Sequence, residues 1–241
     1  MKVVIAIPAR NSEKTIAKTF KEIPEKFRKH VILSDNASRD NTVKIAENLG
    51  IRVVQNSDDK GYGGNVKSCF MAAMKENPGV VVLLHSDNQY DAAKIPELVK
   101  PIEEKKADFA IGSRIRGDRA KCMPRYRFIG NRILTFLENA AMGTRITDLH
   151  SGMIAVSTEV LRKTPFTLNS DDYVFHSEFI FQAKSFGFRF AEIGIPTRYF
   201  KEATSASYAK SFIYGVETLA SLLKFILHAK GLKKFKQFEA L

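Results

Sequence analysis

The sequence predicts an α/β fold with a mostly parallel central sheet and helices on both of its faces. Three observations carry that prediction. Short β-branched runs alternate with helix-length segments through the first half of the chain. Polar clusters follow the first, second and fourth of these runs, where a parallel sheet offers its carboxyl ends to a ligand. The 241 residues, 44% of them hydrophobic, suffice for one large domain or a domain with a modest appendage.

The elements follow in order. Val3 to Ile7 is a strand, and MKVVIAIPAR, with five apolar residues between its lysine and its proline, is too short for a signal-peptide core. Ser12 and Glu13 open a helix that runs to about Glu22. Val31 to Ser34 is the second strand, and a helix spans Thr42 to Leu49. Arg52 to Gln55 is the third strand, after which the loop KGYGGN starts a helix from Asn65 to about Lys75. Val80 to Leu84 is the fourth strand, ending in HSDNQ. Beyond it, helices are predicted over 95–102, 128–142 and 174–186, with strands over 108–111, 151–156 and 188–195. From Ala206 the chain reads as a basic amphipathic helical tail set apart from a 1–205 domain.

Composition excludes several classes. Cys69 and Cys122 lack any C-x-x-C spacing, which fits neither a disulfide framework nor a zinc ribbon and suits a reducing compartment. No stretch approaches the roughly 20 uninterrupted apolar residues of a membrane span. The net charge of +12 favours an anionic partner. Lysines crowd the tail among Phe212, Tyr214, Phe225, Phe235 and Phe238, a pattern that suits a membrane surface and also single-stranded nucleic acid.

The motifs divide by chemistry. Gly61, Gly63 and Gly64 ahead of a helix could cradle phosphate, although GYGGN lacks the lysine and hydroxyl of a P-loop and a tight turn explains it equally well. Asp35 stands just past a strand, where a carboxylate can reach a ribose or a base edge. Asp40, with Asn41 and Thr42, reads as a turn and helix cap. Asp87 and Gln89 are two residues apart on a turn that can direct both oxygens at one ion, to which His85 can add a nitrogen; the alternative is that Asp87 serves the turn and His85 is a satisfied strand-end histidine. Arg114 of the GSR motif and Arg116 follow a strand, where they suit phosphate contact and equally a solvated basic loop, and Arg119, Lys121, Arg125, Arg127 and Arg132 extend the basic run. Asp148, His150, His176 and Glu178 have no zinc spacing.

The ordered set IPARN, SDNASRDNT, KGYGGN, HSDNQ, GSR, DLHSG and EIGIPTRY resembles glycosyltransferase family 2, in particular its polyprenyl-phosphate glycosyltransferases such as dolichol-phosphate mannose synthases. The resemblance covers residues 1 to about 205. It implies a GT-A fold, a nucleotide-sugar donor, Mg²⁺ or Mn²⁺, and a polyprenyl-phosphate acceptor. By position, Pro8, Asn11, Asp35 and Asn36 fall on the nucleoside-binding tips, and Asp87 and Gln89 on the metal motif. Arg114 and Arg198 fall where the family places basic residues that meet phosphate. His85 stands where the first aspartate of D-x-D is usual, and Asn36 replaces the second acid of a D-D pair. Arg10 and Ser12 replace a tyrosine and a glutamate.

The expected reaction is inverting transfer of a sugar from GDP-mannose or a UDP-hexose to a polyprenyl or dolichyl phosphate. Asp87, Gln89 and the ion would hold the diphosphate, with His85 beside them shifting the metal preference toward Mn²⁺; Arg114, Arg116 and Arg198 would gather the acceptor phosphate. The expected location is peripheral, at the cytoplasmic face of a membrane, with a membrane-protein partner as one option and no nucleic acid. Two rivals stand beside it. Transfer to a hydroxyl in polysaccharide synthesis would require Glu178 or Asp148 as base. A nucleotide-sugar-binding protein without catalysis would have lost its chemistry together with the first metal aspartate.

Overall fold

The computed structural model describes residues 1–116, 123–198 and 208–239. Arg119, Lys121, Cys122, Tyr199 and the first residues of the predicted tail, 206 and 207, lie outside them. Seven strands form a single sheet: β1 (Val3–Ala9), β2 (Val31–Asn36), β3 (Arg52–Asn56), β4 (Val80–Leu83), β5 (Phe109–Ser113), β6 (Ile154–Ser157) and β7 (Phe190–Gly194). Their order is β3-β2-β1-β4-β6-β5-β7. The ladders are parallel except where β6 meets β4 and β5, both of which it pairs with antiparallel. Reversing β6 makes it begin, not end, at the edge where its neighbours end. The DLHSG segment ahead of it is thereby delivered to the same edge as the polar tips of β1, β2 and β4.

β1 is buried at all seven positions, as the continuous apolar run of a doubly covered strand requires. Its side chains alternate between two cores. Val4 and Ala6 join Phe70, Phe109, Phe175 and Phe179 on one face of the sheet. Val3, Ile5 and Ile7 join Ile16, Ile95 and Leu98 on the other. The helices are α1 (Ile16–Glu22), α2 (Glu25–Arg28), α3 (Thr42–Asn48), α4 (Gly61–Met74), α5 (Ile95–Glu103), α6 (Arg125–Met142), α7 (Thr158–Lys163), α8 (Phe175–Ser185) and α9 (Tyr208–Ala229).

Several boundaries differ from the sequence prediction for local reasons. Helix α1 starts at Ile16 and not at Ser12, because the Ser12 carbonyl first closes a turn with the amides of Thr15 and Ile16. Strand β6 starts at Ile154 because the Gly152 amide donates to the Tyr90 hydroxyl at 2.8 Å. The largest difference is at KGYGGN, which is the first turn of α4 and not a loop preceding it. Helix α9 passes, by length and composition alone, for a segment able to cross a membrane. It nevertheless packs on α8 and α6. Leu222 and Phe225 join the core, and Phe225 stacks on Phe181 at 5.5 Å between ring centroids.

Candidate active site

The nucleoside end is built at the tips of β1 to β3. Asp35 lies opposite Ala9 on β1 and Gln55 on β3. It is 3% exposed. Its Oδ2 accepts the Ser38 amide at 3.0 Å, while its buried Oδ1 has no partner among the described residues. Asp35 lines a cleft of about 470 Å³ together with Arg10, Ser38, Arg39 and Asp58. A buried acceptor with spare capacity at the wall of such a cleft suits a ligand hydroxyl or N–H donor. Asp40 caps as expected: Oδ1 accepts the Thr42 amide and Oδ2 the Glu13 amide, each at 3.0 Å. Burial pushes its carboxyl up, but hydrogen bonds from Thr42 and Glu13 outweigh that and hold it below its ordinary value.

Two expected nucleoside contacts are used internally. Asn11, in the left-handed region at φ 48°, accepts the Arg39 amide at 2.9 Å and thereby stitches the β1 tip to the β2 tip. The Asn36 amide donates to Asp59 Oδ1 at 2.6 Å and accepts the Lys60 amide at 3.0 Å. Both ends of Asn36 thus brace the entry to α4, and Asp59 in turn pairs with Arg10. Pro8 is buried within β1, where it can shape the floor but donate nothing.

The glycines of α4 do not form a phosphate cradle. The amides of Gly63 and Gly64 donate to the Asp171 carbonyl at 2.8 and 3.2 Å. A Cβ on Gly63 would lie 2.4 Å from the Ser170 carbonyl oxygen, and one on Gly61 equally close to that of Asp171. The glycines therefore admit the 170–172 backbone, which occupies the donors that a phosphate would use.

The HSDNQ tip is a tightly held turn. Ser86 Oγ hydrogen-bonds Ser12 Oγ at 2.8 Å, and its carbonyl accepts Thr19 Oγ1 at 3.1 Å. Asp87 Oδ1 accepts the Gln89 amide at 3.1 Å, and Asn88 adopts the left-handed conformation at φ 57°. Asn88 is 1% exposed, with neither amide atom partnered among the described residues. The Gln89 carbonyl accepts the Arg198 amide at 2.9 Å, and Tyr90 bridges to Thr197, so the segment after β7 closes over this turn. His85 lies just beyond β4. Its Nε2 shares a hydrogen bond with Tyr62 Oη at 2.9 Å, and its ring meets the edges of Tyr62 and Tyr90. Burial holds its pKa below the ordinary histidine value, against the pull of Asp87 and with a smaller push from Arg114.

No group of three or more His, Cys, Asp or Glu side chains placed to hold a metal occurs among the described residues. One carboxylate on a rigid turn nevertheless fits a hard ion that arrives with a diphosphate and takes most of its shell from phosphate and water. Asp87 can serve such an ion; the His85 Nε2 is engaged with Tyr62.

The expected phosphate-gathering arginines are each paired. Arg114 grips Asp148 in a two-point fork, Nε to Oδ2 at 2.7 Å and Nη2 to Oδ1 at 2.9 Å. The Asp148 side chain is fully buried. That burial raises its pKa, but Arg114 overrides it and holds the carboxyl below its ordinary value. Arg116 lies 3.6 Å from Glu192, whose other oxygen accepts the Thr147 and Asp148 amides at 2.7 and 3.1 Å. Arg198 bonds Glu22 at 2.7 Å and approaches Asp91 at 3.9 Å. Arg114 belongs to the group around His85, whereas Arg116 and Arg198 flank it.

Sequence reasoning missed the aromatic frame of Tyr62 and Tyr90, and also Gly152, where a Cβ would lie 2.3 Å from His85 Cε1. It also missed a buried polar chain behind the site. His150 Nε2 is 3.1 Å from Glu138 Oε2 on α6, and its Nδ1 is 2.7 Å from Tyr214 Oη on α9. Burial would depress His150, but Glu138 and Tyr214 push it up to about 10. His176, with neither ring nitrogen partnered among the described residues, is driven down to about 3 by burial and by the nearby His85.

Comparison with known proteins agrees with this architecture. Residues 4–164 match the model of the family described as "Glycosyl transferase family 2". An uncharacterized protein of Methanocaldococcus jannaschii is 32% identical over 92% of this chain and 90% of its own length. A Methanococcus voltae UDP-N-acetylglucosamine–dolichyl-phosphate N-acetylglucosaminyltransferase is 27% identical over 82% of this chain and 86% of its own. Among solved structures, Mycobacterium tuberculosis glucosyl-3-phosphoglycerate synthase, in complex with Mn²⁺, UDP and glucosyl-3-phosphoglycerate, superposes with a TM-score of 0.73. That match covers 97% of this chain and 81% of the synthase at 18% identity, which makes the fold of GT-A type.

Proposed function

We propose, from the premise that this chain belongs to glycosyl transferase family 2 and is a glycosyltransferase, that its acceptor is a polyprenyl phosphate and its donor a nucleoside diphosphate sugar. The observation that carries this reading is the state of Asp148 and Glu178, the two carboxylates that transfer to a hydroxyl was expected to use as base. Asp148 is locked to Arg114 at both oxygens. Glu178 accepts the Ser170 amide at 2.7 Å through Oε2 and the Ser221 hydroxyl at 3.2 Å through Oε1. A hydroxyl acceptor needs a base to take its proton; a phosphate is already anionic. The Methanococcus voltae relative, which acts on dolichyl phosphate, supports the same acceptor class.

In this reading Asp35 and the cleft at β1 to β3 hold the nucleoside. Asp87, with Gln89 beside it, would hold Mg²⁺ or Mn²⁺, whose charge offsets that developing on the departing diphosphate. The acceptor phosphate oxygen forms a bond to the anomeric carbon as the bond from that carbon to the nucleotide breaks. The electron pair leaves with the diphosphate, the anomeric configuration inverts, and no proton moves. Asp148 and Glu192 fix the loop and Arg114 beside the reacting centre, so the protein contributes position and charge. The GDP-mannose or UDP-hexose donor, like the placement at the cytoplasmic membrane face, belongs to this proposal.

The test is a panel of UDP- and GDP-sugars with Mg²⁺ or Mn²⁺, offered with a polyprenyl phosphate in detergent. Transfer with one donor is expected, and none with any pair would favour the non-catalytic binding protein. Glu178→Gln should keep turnover within about tenfold of wild type, because loss of a true general base costs roughly 10²–10⁴-fold.

A further inference from the structure

Helices α6 and α9 carry apolar residues on their outer faces as well as their inner ones. On α6, Ile129, Ile133 and Phe136 form a stripe at helical spacing and face outward, with Phe136 72% exposed. The same helix turns Thr135 and Glu138 inward, and Glu138 is 1% exposed. On α9, Phe212, Val216 and Leu223 face outward, with Phe212 68% exposed, while Thr218 and Ser221 are buried. The two helices adjoin, since a Cβ on Gly215 of α9 would lie 3.9 Å from Leu134 of α6. A soluble surface puts its polar residues outside. Burying a glutamate while exposing two phenylalanines is economical only where the medium outside is apolar.

We propose that the paired outer faces of α6 and α9 dock on an anionic lipid bilayer, with both helices lying in the plane of the interface. This inference rests on the polyprenyl-phosphate reading and names the surface from which that acceptor is taken. Basic residues border the stripes: Arg125 and Arg132 are exposed on α6, and Lys230, Lys233 and Lys234 just beyond α9. Apolar stripes with a basic border match anionic headgroups over acyl chains. A second copy would instead bring the basic rim of a +12 chain against itself.

Helix α9 does not cross the bilayer in this arrangement. Its inner face is tied to the catalytic domain through Tyr214 to His150 at 2.7 Å and Ser221 to Glu178 at 3.2 Å. Withdrawing it into a membrane would strip buried Glu178 and His150 of those partners. The same ties place the docking face behind DLHSG, the segment whose Asp148 holds Arg114, so a lipid phosphate at the interface arrives on the acceptor side of the site.

The experiment is co-sedimentation of the full chain with phosphatidylcholine vesicles, with and without phosphatidylserine. Three chains are compared: wild type, Ile133→Asp with Phe136→Asp, and Val216→Asp, each checked by a thermal melt. Wild type should bind the phosphatidylserine vesicles, and both variants should bind at least about tenfold more weakly with unchanged melting. On a short, water-soluble isoprenoid phosphate the variants should turn over like wild type, and on a long polyprenyl phosphate in vesicles they should fail. Equal vesicle binding by all three chains overturns the proposal. A wild-type dimer that the substitutions dissociate, without vesicle binding, overturns it in favour of a self-association face. Vesicle binding lost in both variants, with no transfer by any chain to any acceptor, upholds the docking face and rejects the transferase reading instead.

Discussion

His85 owes its place to a residue with no side chain. The His85 ring lies over Gly152, hydrogen-bonded to Tyr62 and framed by Tyr90, whose hydroxyl accepts the Gly152 amide. These four residues form one unit in which each fixes the next. A methyl group at position 152 would sit 2.3 Å from Cε1 and 2.5 Å from Nε2, so the ring must move and its bond to Tyr62 must break. Gly152→Ala is therefore expected to destabilise the protein by about 1–3 kcal/mol, the usual cost of overpacking. It should also lower turnover. Because the damage passes through the ring, adding His85→Ala to Gly152→Ala should cost little more. A double-mutant cycle on melting temperature and turnover checks this, and full additivity would mean that the two positions act separately.

At the scale of the element, α4 begins where its own sequence argues against a helix. Three glycines in its first four residues make a poor start by intrinsic propensity. The 170–172 backbone supplies the compensation: the Asp171 carbonyl caps two amides, and the missing side chains let it approach. Gly63→Ala should lose that cap, because the added Cβ meets the Ser170 oxygen at 2.4 Å. The expected result is faster amide hydrogen exchange in the first turn of α4 and in 170–175, with exchange in β1 and β4 unchanged. The same element shows what could be read from sequence. Val3–Ala9, Val31–Asn36 and Val80–Leu83 were legible because a doubly covered strand is locally apolar and β-branched. The α4 start was not, because its cap comes from more than a hundred residues away in the chain. The direction of β6 was equally hidden, since a four-residue run such as IAVS reads the same either way along a ladder. That direction decides the site. Asp35 and Asp87 could be placed from the strand ends that carry them, and Arg114 likewise. Its partner Asp148, 34 residues on, reaches it only because β6 runs backwards.

Over the whole molecule, the buried chain from Glu138 through His150 to Tyr214 joins α6 and α9 to the loop that holds Arg114. Groups facing His150 come from every side: Glu138 on α6, Tyr214 on α9, Asp148 in its own loop and His176 on α8. Its folded pKa, about 10, lies above the ordinary histidine value of 6.5. An unfolded chain therefore releases the His150 proton first as pH rises. The stabilisation is complete below about 6.5, declines through the interval and is lost above about 10. His150→Gln should flatten stability over that window and lower it at neutral pH by about 3 kcal/mol, since the substitution leaves Glu138 buried without its cation. Glu138→Gln should also flatten the alkaline limb, but with a smaller loss at neutral pH, because a lone neutral imidazole is easier to bury than a lone carboxylate. Urea melts at pH 6.5, 8 and 9.5 on the three proteins distinguish the outcomes. If wild type and His150→Gln decline in parallel across that range, His150 is neutral in the fold, and the joint between the two helices and the catalytic loop is a hydrogen bond to Tyr214 alone.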